Sequence, residues 1–377
     1  MRVGLLGVGT VGSGVVEMLQ DCKEIEIVRM LDVKVRMPRM TTDPDDIFCD
    51  ESIDTVVETM GGIMPAADFA RRALNAGKHF VTANKALVAD SGKELDALAR
   101  RQGKAFLFGA ACGGGIPYLR NLLDARRAEQ ILAVGGILNG TTNYMLDLMQ
   151  RSGGDYNDAL RRAQALGYAE RDPSADVDGI DTARKLCLAC GVAFDAWIGE
   201  NQIPTAGIRG IRQEDIAFFQ QLGRTCRLTA HAGKVDGKLY AYVEPSLVSG
   251  ASLESGICLN VNACYYETAG AGRKSFAGQG AGKLPTATNV VCDLWDILEG
   301  RRHMFSMALA DARVHNEAVS RRYVLCLPQG VRVEAQAERE EERGGRRYVL
   351  TRPTPVEAVH QMMRKIGEGA FFAGIEE

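Results

Sequence analysis

In residues 167–190, GYAERDPSADVDGIDTARKLCLAC, a lysine follows a series of carboxylates. Asp181 and Lys185 are four residues apart, so a helix would place them on one face. Ile180, Ala183, Leu186 and Leu188 give Lys185 apolar neighbours, and Glu170, Asp172, Asp176 and Asp178 precede it. A lysine held among carboxylates at the edge of a core is suited to carry a proton or to anchor a substrate. Alone, the stretch reads more simply as an acidic turn and a surface ion pair worth about 0.3–0.5 kcal/mol. Other residues decide between the two readings.

Residues 7–12 (GVGTVG) match G-x-G-x-x-G. Gly7, Gly9 and Gly12 then suit a tight turn, close approach of backbone to a pyrophosphate, and close helix–strand packing. A buried strand is expected over 2–8 and a helix over 13–20, and the helix start would offer N–H groups to the phosphate. A lone match is weak, but here strand and helix stand where the mechanism needs them. Asp32, twenty residues past Gly12, would hold the adenosine ribose. Lys34, Arg36 and Arg39 follow at once and would welcome a 2′-phosphate. The choice between NAD and NADP stays open, with a slight lean to NADP. Asn84 and Lys85 fall at the end of a later strand, where ligands of a doubly wound sheet sit. Lys85 would therefore face the cofactor and substrate cleft.

The elements that position these residues alternate. Strands are expected at 24–31, 53–58, 79–83 and 105–108, with helices at 65–76 and 91–102, the pattern of a parallel, doubly wound α/β sheet. A glycine-rich loop (110–117) enters a helix at 118–127, and a strand follows at 130–138. NGTTNY (139–144) is a polar turn opening a helix, and 155–166 is another. The segment 223–266 is strand-rich, with a hairpin signal at Asp236-Gly237. Bare backbone at 278–282 precedes a helix at 285–298. Residues 334–347 read as an exposed charged turn between strands 323–327 and 348–351, and a helix spans 356–366. This suggests a dinucleotide-binding domain over 1–128, completed by about 284–315. A substrate-binding, catalytic and dimerisation domain of α+β type would cover 129–283, and a small α+β appendage 316–377.

Composition narrows the classes. With 46% hydrophobic and 25% charged residues the chain is expected to be soluble and globular. A net charge of −3 argues against a nucleic-acid surface. No apolar run is long enough to cross a bilayer, and a first strand beginning at Arg2 leaves no room for a signal peptide. Ten scattered cysteines suggest reduced thiols and a cytoplasmic location. Cys187 and Cys190 lack a second CxxC or a nearby histidine and read as core packing.

Six blocks together resemble homoserine dehydrogenases, over roughly residues 1–315. They are GVGTVGSGV (7–15), GKHFVTANKALVA (77–89), GGGIPYLRNL (113–122), GILNGTTNYML (136–146), the stretch 167–185, and GQGAGKLPTA (278–287). The resemblance implies an oxidoreductase interconverting L-homoserine and L-aspartate 4-semialdehyde with NAD(P), within threonine, methionine and isoleucine biosynthesis. By position, Lys185 is the implied proton donor in the reduction direction. Lys85 is a second lysine near the nicotinamide and substrate. Glu170 and Asp181 are substrate-binding carboxylates, with Tyr168, Asp176 and Thr141 in the same pocket. Thr10 and Val11 belong to the pyrophosphate loop, and Gly280 lies near the nicotinamide. A small-molecule substrate, a homodimer, no nucleic acid and no membrane are implied as well.

The sequence departs from the family in three places. The family's glutamate eight residues before Pro117, which helps hold a monovalent cation, is Gly109 here. A cation would have only the carbonyls of Cys112, Gly114 and Ile116. The loop after the second strand reads LDVKVR instead of carrying an Arg-Asp pair. The last sixty or so residues lack a clear ACT-type module, with Cys326-Leu327-Pro328-Gln329 in place of Asp-x-Pro-Gly. No kinase domain is expected ahead of Met1. Two other readings are a catalytically weak NADP-binding sensor of the same fold, which would not need Lys85, Glu170, Asp181 and Lys185 to converge, and a reductase of a related amino aldehyde.

Overall fold

Val3, Leu5 and Leu6 have no exposure, so the strand Arg2–Leu6 can lie only inside a sheet covered on both faces. In the computed structural model, which describes residues 1–376, it lies in a six-stranded parallel sheet. The order is Met40–Thr41, Glu26–Leu31, Arg2–Leu6, Thr55–Glu58, His79–Thr82, Phe106–Leu107. This is the doubly wound α/β architecture that the strand–helix alternation predicts. The chain forms two compact units. The first comprises 1–131, 187–199 and 278–311, and the second 132–186, 200–277 and 312–377.

In the first unit, Phe80, Phe106, Phe108 and Phe305 form a run of buried rings with centroids 6.3, 5.3 and 5.2 Å apart. The helix Lys85–Gln102 starts six residues before the expected 91. The Asn84 side chain accepts from Leu87 N at 3.1 Å, an N-cap that sets the start of the helix. The helix ends at Gly103, whose φ of 63° is the left-handed conformation that glycine adopts most readily. Lys85 is thus the first residue of a helix rather than part of a loop.

The second unit is built on a nine-stranded mixed sheet. Its order is Gly272–Gln279, Val261–Thr268, Ile131–Ile137, Arg224–Val235, Lys238–Ser249, Phe371–Ile375, Tyr323–Pro328, Arg346–Thr351, Ala337–Arg343. Asp236 (φ 50°) and Gly237 (φ 77°) make the tight hairpin between the two twelve-residue strands. Within 316–377, set apart in the sequence as an appendage, the strands Tyr323–Pro328, Ala337–Arg343, Arg346–Thr351 and Phe371–Ile375 belong to this same sheet, while Ser320–Arg321 and Thr354–Pro355 pair with each other. Buried charges tie this segment to the rest of the unit: Arg321 meets Glu244 at 2.7 Å, His360 meets Glu244 at 2.9 Å, and Arg346 meets Asp215 at 2.9 Å. The segment read as a charged turn contains the strand Ala337–Arg343, with the turn itself confined to Gly344-Gly345. It is the last strand of the sheet and largely exposed, which is why its charges escape any apolar alternation. Among the described residues no helix is long and apolar enough to cross a membrane.

Candidate active site

The glycine loop of the first unit is built as its spacing predicts. Gly7 has φ 88°, and a Cβ on Gly12 would stand 2.0 Å from the Gly7 carbonyl and 2.8 Å from Thr59 Oγ1. A Cβ on Gly9 would meet nothing within 4 Å. Gly12 is therefore required by packing, whereas Gly9 borders open space. Gly9 precedes the helix Thr10–Leu19 and offers no side-chain cap, so the N–H groups of the first turn, at Thr10, Val11 and Gly12, remain available to an anion. The Asp32 carboxylate accepts from Val8 N at 2.8 Å and from Val33 N at 2.7 Å. It braces the loop, a role beyond the expected ribose contact. Lys34 and Arg36 are exposed on the next turn, while Arg39 is held by Ile27 O at 2.7 Å and Glu26 at 3.3 Å.

At the carboxyl ends of the strands Thr55–Glu58 and His79–Thr82, a polar network fixes the start of the helix that carries Lys85. Glu58 accepts from Met60 N at 2.7 Å, from Gly61 N at 3.1 Å and from the Thr82 hydroxyl at 2.5 Å. Asn84 donates to Gly62 O at 2.6 Å. Burial pushes the Glu58 carboxyl above its usual range, and these hydrogen bonds counter it only in part. A second glycine loop of the same unit lies against Gly280. Gly115 N donates to Gln279 O at 3.0 Å, and a Cβ on Gly114 would stand 2.2 Å from Gly280 O. The carbonyls of Gly114 and Ile116 both accept from Asn289 Nδ2, and Gly109 N donates to Asp293 at 2.7 Å.

In the second unit the stretch 167–185 folds back on the start of the helix Gly140–Ser152. Lys185, 7% exposed, donates from Nζ to Leu138 O at 2.6 Å and pairs with Asp181 Oδ2 at 2.8 Å. The Asn139 amide nitrogen donates to Asp181 at 3.0 Å and to Asp176 at 2.7 Å, while its oxygen caps the helix by accepting from Thr142 N at 2.8 Å. Asn262 adds a second donor to Leu138 O at 2.9 Å. Thr141 donates to Tyr168 O at 2.6 Å, and the Tyr144 and Tyr168 rings meet edge to face at 5.1 Å. Glu170 is exposed, and its backbone carbonyl accepts from Gln164 at 3.1 Å.

Within this unit the structure therefore brings together Lys185, Asp181, Asp176, Thr141 and Tyr168, with Glu170 nearby in sequence on an exposed turn. A buried, directed ammonium beside a fixed carboxylate can stabilise and protonate an oxygen that gains negative charge. Sequence reasoning missed the hub, Asn139, which ties both aspartates to the lysine's helix. An asparagine placed to cap a helix was the signal, but its second set of partners lies 37 and 42 residues away. Asn262 and Asn289 were missed as well, because each serves backbone that only the fold brings near, and Glu58 because it ends a buried strand and binds the turn just after it.

Comparison with known proteins supplies a family. The family model described as homoserine dehydrogenase matches residues 117–295, and the one described as the NAD binding domain of homoserine dehydrogenase matches 7–109. The chain is 37% identical to the homoserine dehydrogenase of Bacillus subtilis over 321 residues, which are 80% of this chain and 74% of that protein. It is 39% identical to the Synechocystis homoserine dehydrogenase over 317 residues, 79% and 73% of the two chains. The crystal structure of a homoserine dehydrogenase from Thiobacillus denitrificans matches with a TM-score of 0.91 at 31% identity, covering 100% of this chain and 98% of that one.

Proposed function

The chain belongs to the homoserine dehydrogenase family, and from that premise we propose that Lys185 is the group that serves the reacting oxygen as it interconverts L-homoserine and L-aspartate 4-semialdehyde. It is an NAD(P)-dependent oxidoreductase. A nicotinamide bound at the parallel sheet supplies or accepts the hydride. In the reduction direction the aldehyde oxygen gains negative charge, and Lys185 Nζ stabilises it and delivers a proton. In the oxidation direction the same nitrogen takes the proton back. Asp181 and the Leu138 carbonyl hold the ammonium in place, and Asn139 holds Asp181. Glu170, with Asp176 and Asp181, answers the positive charge of the substrate's amino group, and Thr141 and Tyr168 shape the wall beside it.

The observation that carries this reading is the double anchoring of Lys185, at 2.6 Å from a carbonyl and 2.8 Å from a carboxylate, in a nearly buried setting. Isolated surface ion pairs are not built in this way. On the cofactor side, Gly7, Gly9, Thr10, Val11 and Gly12 hold the pyrophosphate, and Asn84, Lys85 and Gly280 border the nicotinamide end. Lys34 and Arg36 favour a 2′-phosphate and so NADP. The relatives favour neither the sensor nor the reductase of another amino aldehyde. Steady-state oxidation of L-homoserine with NAD and with NADP tests the reading. Turnover with at least one is expected, with lower KM for NADP, and the absence of turnover with both would refute it. A cytoplasmic homodimer is the assembly in keeping with the family, and light scattering on the purified protein checks the dimer.

A further inference from the structure

The resemblance implies a monovalent cation held by the carbonyls of Cys112, Gly114 and Ile116 and by a glutamate at the position of Gly109. The residues present do not fit that ion. Position 109 has no side chain, and a Cβ there would stand 2.6 Å from Asp293 Oδ1, so the space it would need is already filled from the helix Lys283–Leu298. Four residues earlier on that helix, Asn289 is 4% exposed, and its Nδ2 donates both to Gly114 O and, at 3.0 Å, to Ile116 O. A cation bridging these two carbonyls would need the position between them that the amide nitrogen already occupies. The neighbouring carboxyls are also engaged. Asp296 lies 2.7 Å from Arg120 and 3.4 Å from Arg301, while Asp293 accepts from Gly109 N at 2.7 Å and burial pushes its carboxyl up to about 7.

We propose that the Asn289 amide takes the place of the monovalent cation, clamping the loop 113–117 from within the chain so that the enzyme works without sodium or potassium. The two N–H bonds of the amide can reach two carbonyls, as a bound ion would, but the group is neutral. It needs no balancing carboxylate, in keeping with Gly109. The clamp holds the loop that packs on Gly280, and Asn289 is thus a positioning residue for the nicotinamide end of the cofactor site, a role that rests on the function proposed above.

The test exchanges the purified full-length protein into buffer whose only monovalent cation is tetramethylammonium, then adds sodium or potassium at constant ionic strength. Melting temperature, kcat and KM for NADP are followed. All three are expected to stay unchanged in wild type, and a saturable rise specific to sodium or potassium would overturn the proposal. In Asn289→Asp a carboxylate would face two carbonyls. Its melting temperature is expected to fall in tetramethylammonium and to recover with sodium or potassium. Melting that is identical to wild type in every buffer would overturn the clamp. Should the variant not fold, the wild-type titration alone decides. Because melting needs no substrate, failure to oxidise homoserine with cation-insensitive melting would refute the assigned reaction and leave the clamp standing.

Discussion

Glu58 and Glu376 are both largely withdrawn from water, one in each unit, and their surroundings differ in kind. Neutral donors surround Glu58: two backbone N–H groups and a threonine hydroxyl. Glu376 meets the His231 ring at 3.2 Å and the Arg321 guanidinium at 3.6 Å. Burial pushes both carboxyls up. At Glu58 it prevails, whereas at Glu376 His231 and Arg321 outweigh it and hold the carboxyl at about 2. Both units bury ion pairs, Arg120 with Asp296 in the first and Arg346 with Asp215 in the second, so the contrast belongs to the two candidate sites. The glycine loop at 7–12 presents oriented amides, whose polarity is fixed by backbone. The site in the second unit is built on a charged side-chain pair, Lys185 with Asp181. Binding a pyrophosphate needs only a fixed field, while moving a proton needs a group that can change charge.

Substitutions that remove one kind of polarity or the other put that division to the test. The largest effect is expected for Lys185→Ala, with kcat for homoserine oxidation lowered about 10²–10⁴-fold, the range for loss of a positioned acid–base group. KM for the cofactor should hardly move, and if kcat survives, the second unit's charges are structural only. Next come two glycines of the same motif. Gly12→Ala forces a Cβ to within 2.0 Å of the Gly7 carbonyl and should cost about 1–3 kcal/mol in denaturant unfolding, as overpacking does. Gly9→Ala meets no protein atom within 4 Å and should leave unfolding unchanged while raising the cofactor KM. Equal melting losses in both would erase the distinction between packing glycine and binding glycine.

The carboxylates give smaller effects, readable in pH. Glu376 is depressed in the fold from 4.5 to about 2, so its stabilisation is present above pH 4.5 and lost as pH falls toward 2. Glu376→Gln should therefore cost about 1.5–3 kcal/mol at neutral pH, the scale of a charged hydrogen bond. The gap to wild type should close on acidification. Glu58 has the opposite sign. Its folded value lies above 4.5, so stability is fully present below that pH and declines as pH rises through the folded value. Glu58→Gln should flatten this decline, on the order of 1 kcal/mol or less because the amide still accepts from backbone. A steeper decline in the variant would mean that the neutral donors stabilise the ionised form after all.

The two units also differ in how legible they are. The loop at Gly7, Gly9 and Gly12 could be read because its purpose is local: strand, turn and helix adjoin in sequence. The spacing of Asp181 and Lys185 could be read for the same reason. Asn139, Asn262 and Asn289 could not, since an asparagine's second partner is chosen by whichever backbone the fold delivers. The early helix start at Lys85 went unread because Asn84 and Lys85 read as the end of a strand, a reading that leaves out the cap Asn84 makes to Leu87 N. Ala337–Arg343 was obscured because a mostly solvated edge strand carries no alternation to read.

The strand Phe371–Ile375 lies in the middle of its sheet, parallel to Lys238–Ser249 through Ser246 and Gly374 and antiparallel to Tyr323–Pro328. Partners so remote in sequence impose an order on biosynthesis. The five strands before it can associate as soon as they leave the ribosome, but they stay divided from the three on its other side until residues 371–375 have been translated. Non-local pairing of this sort is slow to form, so the nascent second unit carries two unpaired strand edges late into synthesis, a window in which chaperones would find it.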